Sequence, residues 1–152
     1  MSKVNLRNAG YYIQHYLMIR TKSGRLVPLQ FNPPQQKLYR AIAAQAKAGR
    51  PIRIIILKAR QMGFSTVTGG LIFHRTATRE LVESLVVAHQ EDATANLFAM
   101  YRLFYEELPR PIQPLKKASN AQELVLENPT TNPDRKKREP GLRSRIRCAT
   151  AG

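Results

Sequence analysis

The chain has no tryptophan, one cysteine and, over its first 79 residues, no carboxylate at all. Each absence excludes something. With only Cys148, an internal disulfide and a cysteine-built zinc cage are both ruled out. The simple reading of Cys148 is a small buried residue near a strand. No stretch approaches the ~20 apolar residues of a membrane-spanning helix. The N-terminus, MSKVNLRNAGYY, lacks the apolar region of a secretory signal. A cytoplasmic setting is therefore expected. The missing acids say more. Residues 1–79 hold 14 Lys and Arg, and Glu80 is the first acid; residues 80–152 hold 11 basic and 10 acidic residues. A half-chain so one-sided repels itself unless a polyanion or an acidic partner offsets it. Nucleotide phosphates, nucleic acid or an acidic protein surface would each do so. A solvated basic face without a partner is the plainer alternative.

What is present reads as one α/β domain within 152 residues. YLMIRTKSGRLVPLQF (16–31) predicts two short extended segments around a turn at 22–24. In NPPQQKLYRAIAAQAKAGRP, Asn32 is an N-cap, Pro33 and Pro34 sit where a helix tolerates them, and Gly49 and Pro51 end the helix. PIRIIIL (51–57) has the β-branched character of a strand buried on both faces. STVTGGLIFHRTATRE reads as a helix, with Gly69 and Gly70 counting against it. ESLVVAH (83–89) reads as a strand, and 91–108 as a helix with acids in its first turn. Its Leu97, Phe98, Tyr101, Phe104 and Tyr105 are core candidates. QELVLEN (122–128) and SRIRCAT (144–150) look like two strands joined by a polar loop.

Function turns on RIIILKARQMGFST, residues 53–66. A phosphate loop aims backbone N–H groups at an anion from the start of a helix, and the helix dipole adds to them. A basic side chain reaches the terminal phosphates and a hydroxyl ligates Mg²⁺. The usual pattern is G-x-x-x-x-G-K-[ST] between a strand and a helix. Gly63 supplies the second glycine, and Ser65 and Thr66 the hydroxyls. Phe64, however, occupies the lysine's place and Lys58 the first glycine's. Lys58 and Arg60 lie on the same loop, and either can supply the charge. The other reading is an ordinary strand–turn–helix with a basic turn.

KARQMGFST resembles the deviant Walker A loop of the large terminase subunits, the DNA-packaging motors of tailed bacteriophages. GRLVPLQFNPPQQKLY resembles that family's adenine-side segment, SLVVAHQEDATANLF its second strand and helix, and SRIRCATAG the strand before its acidic motif. The likeness spans roughly residues 16–152. It implies a P-loop NTPase-like three-layer α/β/α fold with a mostly parallel sheet, here incomplete. Residues 1–30 would form an extended or hairpin lead-in, and 31–152 a partial ATPase domain. It further implies ATP and Mg²⁺ as cofactors. Lys58 would meet the β/γ-phosphates, Ser65 would hold Mg²⁺, and Thr66 would face the α-phosphate. Backbone N–H groups of Gln61, Met62, Gly63, Phe64 and Ser65 would form the cradle. Gln35, with Gln36 as the other candidate, would meet the adenine edge. Arg60 would stabilise charge on the γ-phosphate, its rival role being a structural ion pair. The implied partners are double-stranded DNA (through the complete protein), a small terminase subunit, the portal and further copies in an oligomeric motor, all in the bacterial host's cytoplasm and none in a membrane.

Hydrolysis in this class also needs an apolar strand ending in Asp, then a Glu that activates water. None of the ten acids fits. In ELVLEN, Glu127 follows three apolar residues with no second acid beside it, which reads more simply as a strand with a solvated edge. Glu80 and Glu83 flank the wrong end of a strand. In relatives the acidic motif follows the ATAG segment, where this sequence stops. The expectation is a nucleotide-binding front part without ATPase activity of its own, with an unpaired sheet edge that promotes association. Two other classes compete: a helicase-like motor, and a basic nucleic-acid-binding module that uses no nucleotide. RKKREPGLRSR is either a DNA-contacting loop or a solvated run.

Overall fold

The computed structural model describes residues 5–57, 62–120 and 122–152. Its first element is a helix, α1 (Ala9–Tyr16), where the sequence reading has only extended chain. Asn8 caps it by accepting the Tyr11 N–H, and Tyr12 and Ile13 turn inward. β1 (Met18–Arg20) and β2 (Leu26–Pro28) then form the expected antiparallel hairpin. α2 (Pro33–Lys47) starts at Asn32 as its cap predicts, and Gly49 beyond its end is left-handed.

α3 (Phe64–Thr78) runs unbroken through Gly69 and Gly70. Each glycine costs a helix about 1 kcal/mol against alanine, and packing explains why both are there. The Met100 and Tyr101 side chains of α4 (Glu91–Glu106) lie over Gly69, and Ile13 and Leu17 lie against Gly70. β3 (Glu83–Ala88) and α4 follow the sequence reading, with Phe98, Tyr101, Phe104 and Tyr105 in the core. A short 3-10 turn (Arg110–Ile112) leads to β4 (Ala118–Ser119) and β5 (Glu123–Leu126). The polar loop that follows contains a further helix, α5 (Pro133–Arg138), before β6 (Ser144–Thr150).

The strands β3 to β6 form one sheet in the order β3-β6-β5-β4. Only β3 and β6 are parallel, with Glu83 opposite Arg145 through Ala88 opposite Thr150. β5 runs antiparallel to both β6 and β4. The sheet is therefore mixed, which corrects the expectation of a mostly parallel one. The reason is local: β4 and β5 are joined by a turn too short for a crossover, so they must run in opposite directions. One sheet face carries Leu124, Leu126, Ser144, Ile146 and Cys148, all buried, and packs with the Phe73 and Phe104 side chains of α3 and α4. The other face exposes Leu85 (63%), Val87 (56%), Arg145 and Arg147. Among the described residues there are thus two layers, not the expected three.

Residues 51–57 also depart from expectation. They form no strand, Ile55 and Leu57 are fully exposed, and of this run only Ile54 packs on the core. β-branched residues favour strands chiefly through the neighbours they pack on. No described strand pairs with this run. Its Arg53 backbone instead bonds the Gln45 side chain of α2, donating at 2.9 Å and accepting at 3.3 Å.

Candidate functional site

The start of α3 lies at a defined end of the sheet. Residues 79–82 join α3 directly to β3, so the end of the helix is beside the start of the strand. A fifteen-residue helix spans about 22 Å and a six-residue strand about 20 Å. The two run in opposite directions, so the first turn of α3 is level with the carboxyl end of β3. β6 ends there too: the Ala151 N–H donates to the Ala88 carbonyl at 2.7 Å. So does the start of α4, whose Thr94 hydroxyl shares a hydrogen bond of 2.8 Å with that of Thr150. Two helix starts and two parallel strand ends converge, which is where open α/β sheets receive ligands.

The junction itself is built from four residues. Asn32 and Gln35 form a capping box on α2: the Asn32 Oδ1 accepts the Gln35 N–H at 2.9 Å, and the Gln35 Oε1 accepts the Asn32 N–H at 3.0 Å. The free end of each side chain then reaches across to the loop. Gln35 Nε2 donates to the Gly63 carbonyl at 2.8 Å, and Asn32 Nδ2 to the Met62 carbonyl at 3.4 Å. Gly63 is left-handed, with φ of 69°, and is the N-cap of α3. A Cβ there would collide with the Gln35 amide. The start of α2 therefore clasps the start of α3.

The first-turn N–H groups of a helix have no partner within it and carry the positive end of its dipole. Here no acid lies in the first turn of α3, nor anywhere in residues 1–79. The local field favours an anion. Ser65 is exposed in that turn, a position from which a hydroxyl can face a metal ion held by phosphates. Mg²⁺ is commonly bound this way, through few protein ligands and the substrate's own oxygens. Among the described residues no group of three His, Cys, Asp or Glu side chains could hold a metal. Thr66 is half-buried and lines a cleft of about 560 Å³ with Arg20, Asn96 and Arg102, between the hairpin and α4. The Phe64 ring packs on the core, so only its backbone remains to serve an anion.

Lys58, Arg60 and Gln61 lie outside the described residues. Gln35 is 5% exposed and has both ends of its amide engaged within the protein. Gln36 is more open, with its Nε2 on the Phe31 carbonyl at 3.3 Å and its Oε1 accepting from Arg40 at 3.4 Å. The clasp is what sequence reasoning misses. Its signal was visible as Asn32 and Gln35 three residues apart, but a capping box does not reveal where the second half of each amide points.

A cavity of about 1,050 Å³ lies at the opposite end of α3, and none of the expected site residues among the described residues lines it. His74 and Tyr12 line it. The His74 Nε2–H donates to the Leu6 carbonyl at 2.8 Å, and burial holds the ring's pKa below the ordinary histidine value. Glu127, the nearest match to an acidic motif, accepts Lys136 at 2.7 Å and Lys117 at 3.3 Å. The Lys136 bond lowers its pKa. No protein-family model matches the chain, and no curated protein matches it.

Proposed function

We propose that the chain is the ATP-binding front part of a DNA-packaging motor of the large-terminase kind, with Mg-ATP held where the loop enters α3. The observation that carries this reading is the clasped, left-handed Gly63 opening a fifteen-residue helix with Ser65 and Thr66 in its first turn. Backbone N–H groups from 61 to 65 would cradle the phosphates, Lys58 would meet the β/γ-phosphates and Arg60 would offset charge on the γ-phosphate. Ser65 would ligate Mg²⁺ and Thr66 would face the α-phosphate. The finer fold in this reading is P-loop NTPase-like. Double-stranded DNA, a small subunit, the portal and further copies of the chain are its partners.

The adenine role assigned to Gln35 competes with the clasp. Gln35 reads a base only by releasing Gly63 or Asn32, whereas the more exposed Gln36 would give up longer bonds, to the Phe31 carbonyl at 3.3 Å or from Arg40 at 3.4 Å. Catalysis is outside this chain's means in our reading. Every acid lies among the described residues, and Glu127, the nearest match, is occupied by two lysines. Hydrolysis would need a carboxylate pair from elsewhere.

The test is titration with a fluorescent ATP analogue and Mg²⁺. Lys58→Ala is expected to weaken binding at least about tenfold, in keeping with about 1.4 kcal/mol per decade, with little dependence on salt. Unchanged affinity in both Lys58→Ala and Arg60→Ala would sink the loop assignment. The charge of the first half-chain favours one other reading, a nucleic-acid-binding module indifferent to ATP. That module would show binding that falls steeply with salt. A helicase-like motor shares the nucleotide prediction and differs in its substrate.

A further inference from the structure

A second surface suited to anions lies on the segment between β5 and β6. Four consecutive cations, Arg135, Lys136, Lys137 and Arg138, occupy the short helix α5. Such a run is usually a mobile, solvated one, but here the backbone is closed on itself. At the base of the loop the Asn128 N–H donates to the Pro140 carbonyl at 3.0 Å, and its Nδ2 donates to the Glu139 carbonyl at 2.6 Å. The left-handed Gly141 lets the two sides meet, because a Cβ there would strike the Asn128 backbone. Asn132 caps α5 by accepting the N–H groups of Asp134 and Arg135 at 3.0 and 3.1 Å.

The acid at the base of the loop is already in use. Glu127 holds Lys136 and Lys117, so Arg135, Lys137, Arg138 and Arg143 have no ion pair among the described residues. Lys136, Lys137 and Arg143 rim one shallow cavity of about 520 Å³. The loop also holds Asp134 and Glu139, so residues 128–143 carry five cations against two acids, and keeping that surplus together in a pinned loop is electrostatically unfavourable unless an anion offsets it. The surrounding chemistry selects among anions. Residues 128–143 contain no aromatic side chain on which an unpaired base would stack. Their one large apolar residue is Leu142, too little for the apolar face a bilayer surface requires.

We propose that the α5 loop contacts the phosphate backbone of duplex nucleic acid, through Arg135, Lys137, Arg138 and Arg143. This surface is separate from the loop–α3 junction and does not depend on nucleotide binding there. It carries no means of reading base edges, so the contact positions a duplex without selecting its sequence.

The experiment is a titration of a short labelled duplex by fluorescence anisotropy, without nucleotide, over a series of salt concentrations. The variant Arg135→Ala/Lys137→Ala/Arg138→Ala/Arg143→Ala is compared with Lys22→Ala/Arg25→Ala/Lys37→Ala/Lys47→Ala, which removes the same charge from exposed positions elsewhere. Loss of four phosphate contacts should flatten the plot of log affinity against log salt by about 3–4 and weaken binding tenfold or more, with the second variant much less affected. A charge-keeping variant, with the three loop arginines changed to lysine, should bind close to wild type. Equal losses in the two alanine variants would mean that net charge alone attracts the duplex, and would overturn the proposal. So would an unaffected loop variant, a charge-keeping variant as weak as the alanine one, or a wild type that binds anionic vesicles and no duplex. Lys58→Ala should leave duplex binding unchanged, so failure of the nucleotide reading would show separately.

Discussion

At Gly63 two requirements coincide, and either alone would select glycine. Its left-handed backbone costs an L-residue roughly 1–2 kcal/mol, and the Gln35 amide fills the space that a Cβ needs. Gly63→Ala should therefore lower the melting temperature and also free Gln35 from the Gly63 carbonyl. A chain of this size loses about 2–4 °C per kcal/mol, so a drop of several degrees is expected in a thermal melt; an unchanged melt would mean the clasp does not hold. His74 supplies a test through pH. Burial lowers its folded pKa from the ordinary 6.5. In the window just below 6.5 the unfolded chain takes up a proton that the folded chain refuses, so stability falls as pH drops through it. Above 6.5 the group contributes no slope. Urea denaturation on both sides of that value should show the fall in wild type and a shallower one in His74→Gln. Glu127, also lowered, acts only at more acid pH, as its ordinary value is 4.5.

Among the elements, α2 shows what can be read locally. Its cap, its two prolines and its terminal glycine are all short-range signals, and the helix begins at the residue that they name. Asn32→Ala should cost about 1 kcal/mol as a lost cap. Because Asn32 also bonds Met62, its loss should speed amide exchange at the start of α3 as well as at the start of α2. Measured by hydrogen exchange, an effect confined to α2 would show the two helix starts to be uncoupled. β3, α4 and β6 were legible for the same reason, since their periodicity lies within the segment. α3 was harder, because the reason for Gly69 and Gly70 lies in α1 and α4, far away in sequence. α1 was not read at all. Its face packs around Tyr12 and Ile13, but only a single turn of apolar spacing shows in AGYYIQHY. The run 51–57 failed in the opposite sense: its composition is that of a strand, yet a strand exists only where a neighbour completes the ladder. Of the candidate site, the glycine and the hydroxyls were legible, and the clasp that positions them was not.

Over the whole molecule, apolar side chains are distributed unevenly between the two sheet faces. The face toward α3 and α4 is closed, while Leu85 and Val87 stand exposed on the other side of β3, at the end of the strand order. β3 pairs with β6 on one side, and its outer edge carries no proline or lysine to discourage a further strand. Copies of the chain should therefore associate as concentration rises. Val87→Lys is expected to suppress this in light scattering while leaving the melting temperature nearly unchanged, since the side chain is already half in water. A wild type that stays monomeric throughout would show that the edge is protected by means other than its own residues.

Cys148 offers a way to follow opening of the core. It is the one thiol in the chain, 1% exposed on β6 beneath the helices, and burial raises its pKa so that the thiolate is scarce. A thiol-selective reagent added to the native protein has no other thiol to modify and reaches this sulfur only when the helices part from the sheet. The rate of adduct formation is thus a built-in clock for opening of the core. It needs no engineered label, and any ligand that fastens α4 to β6 should slow it.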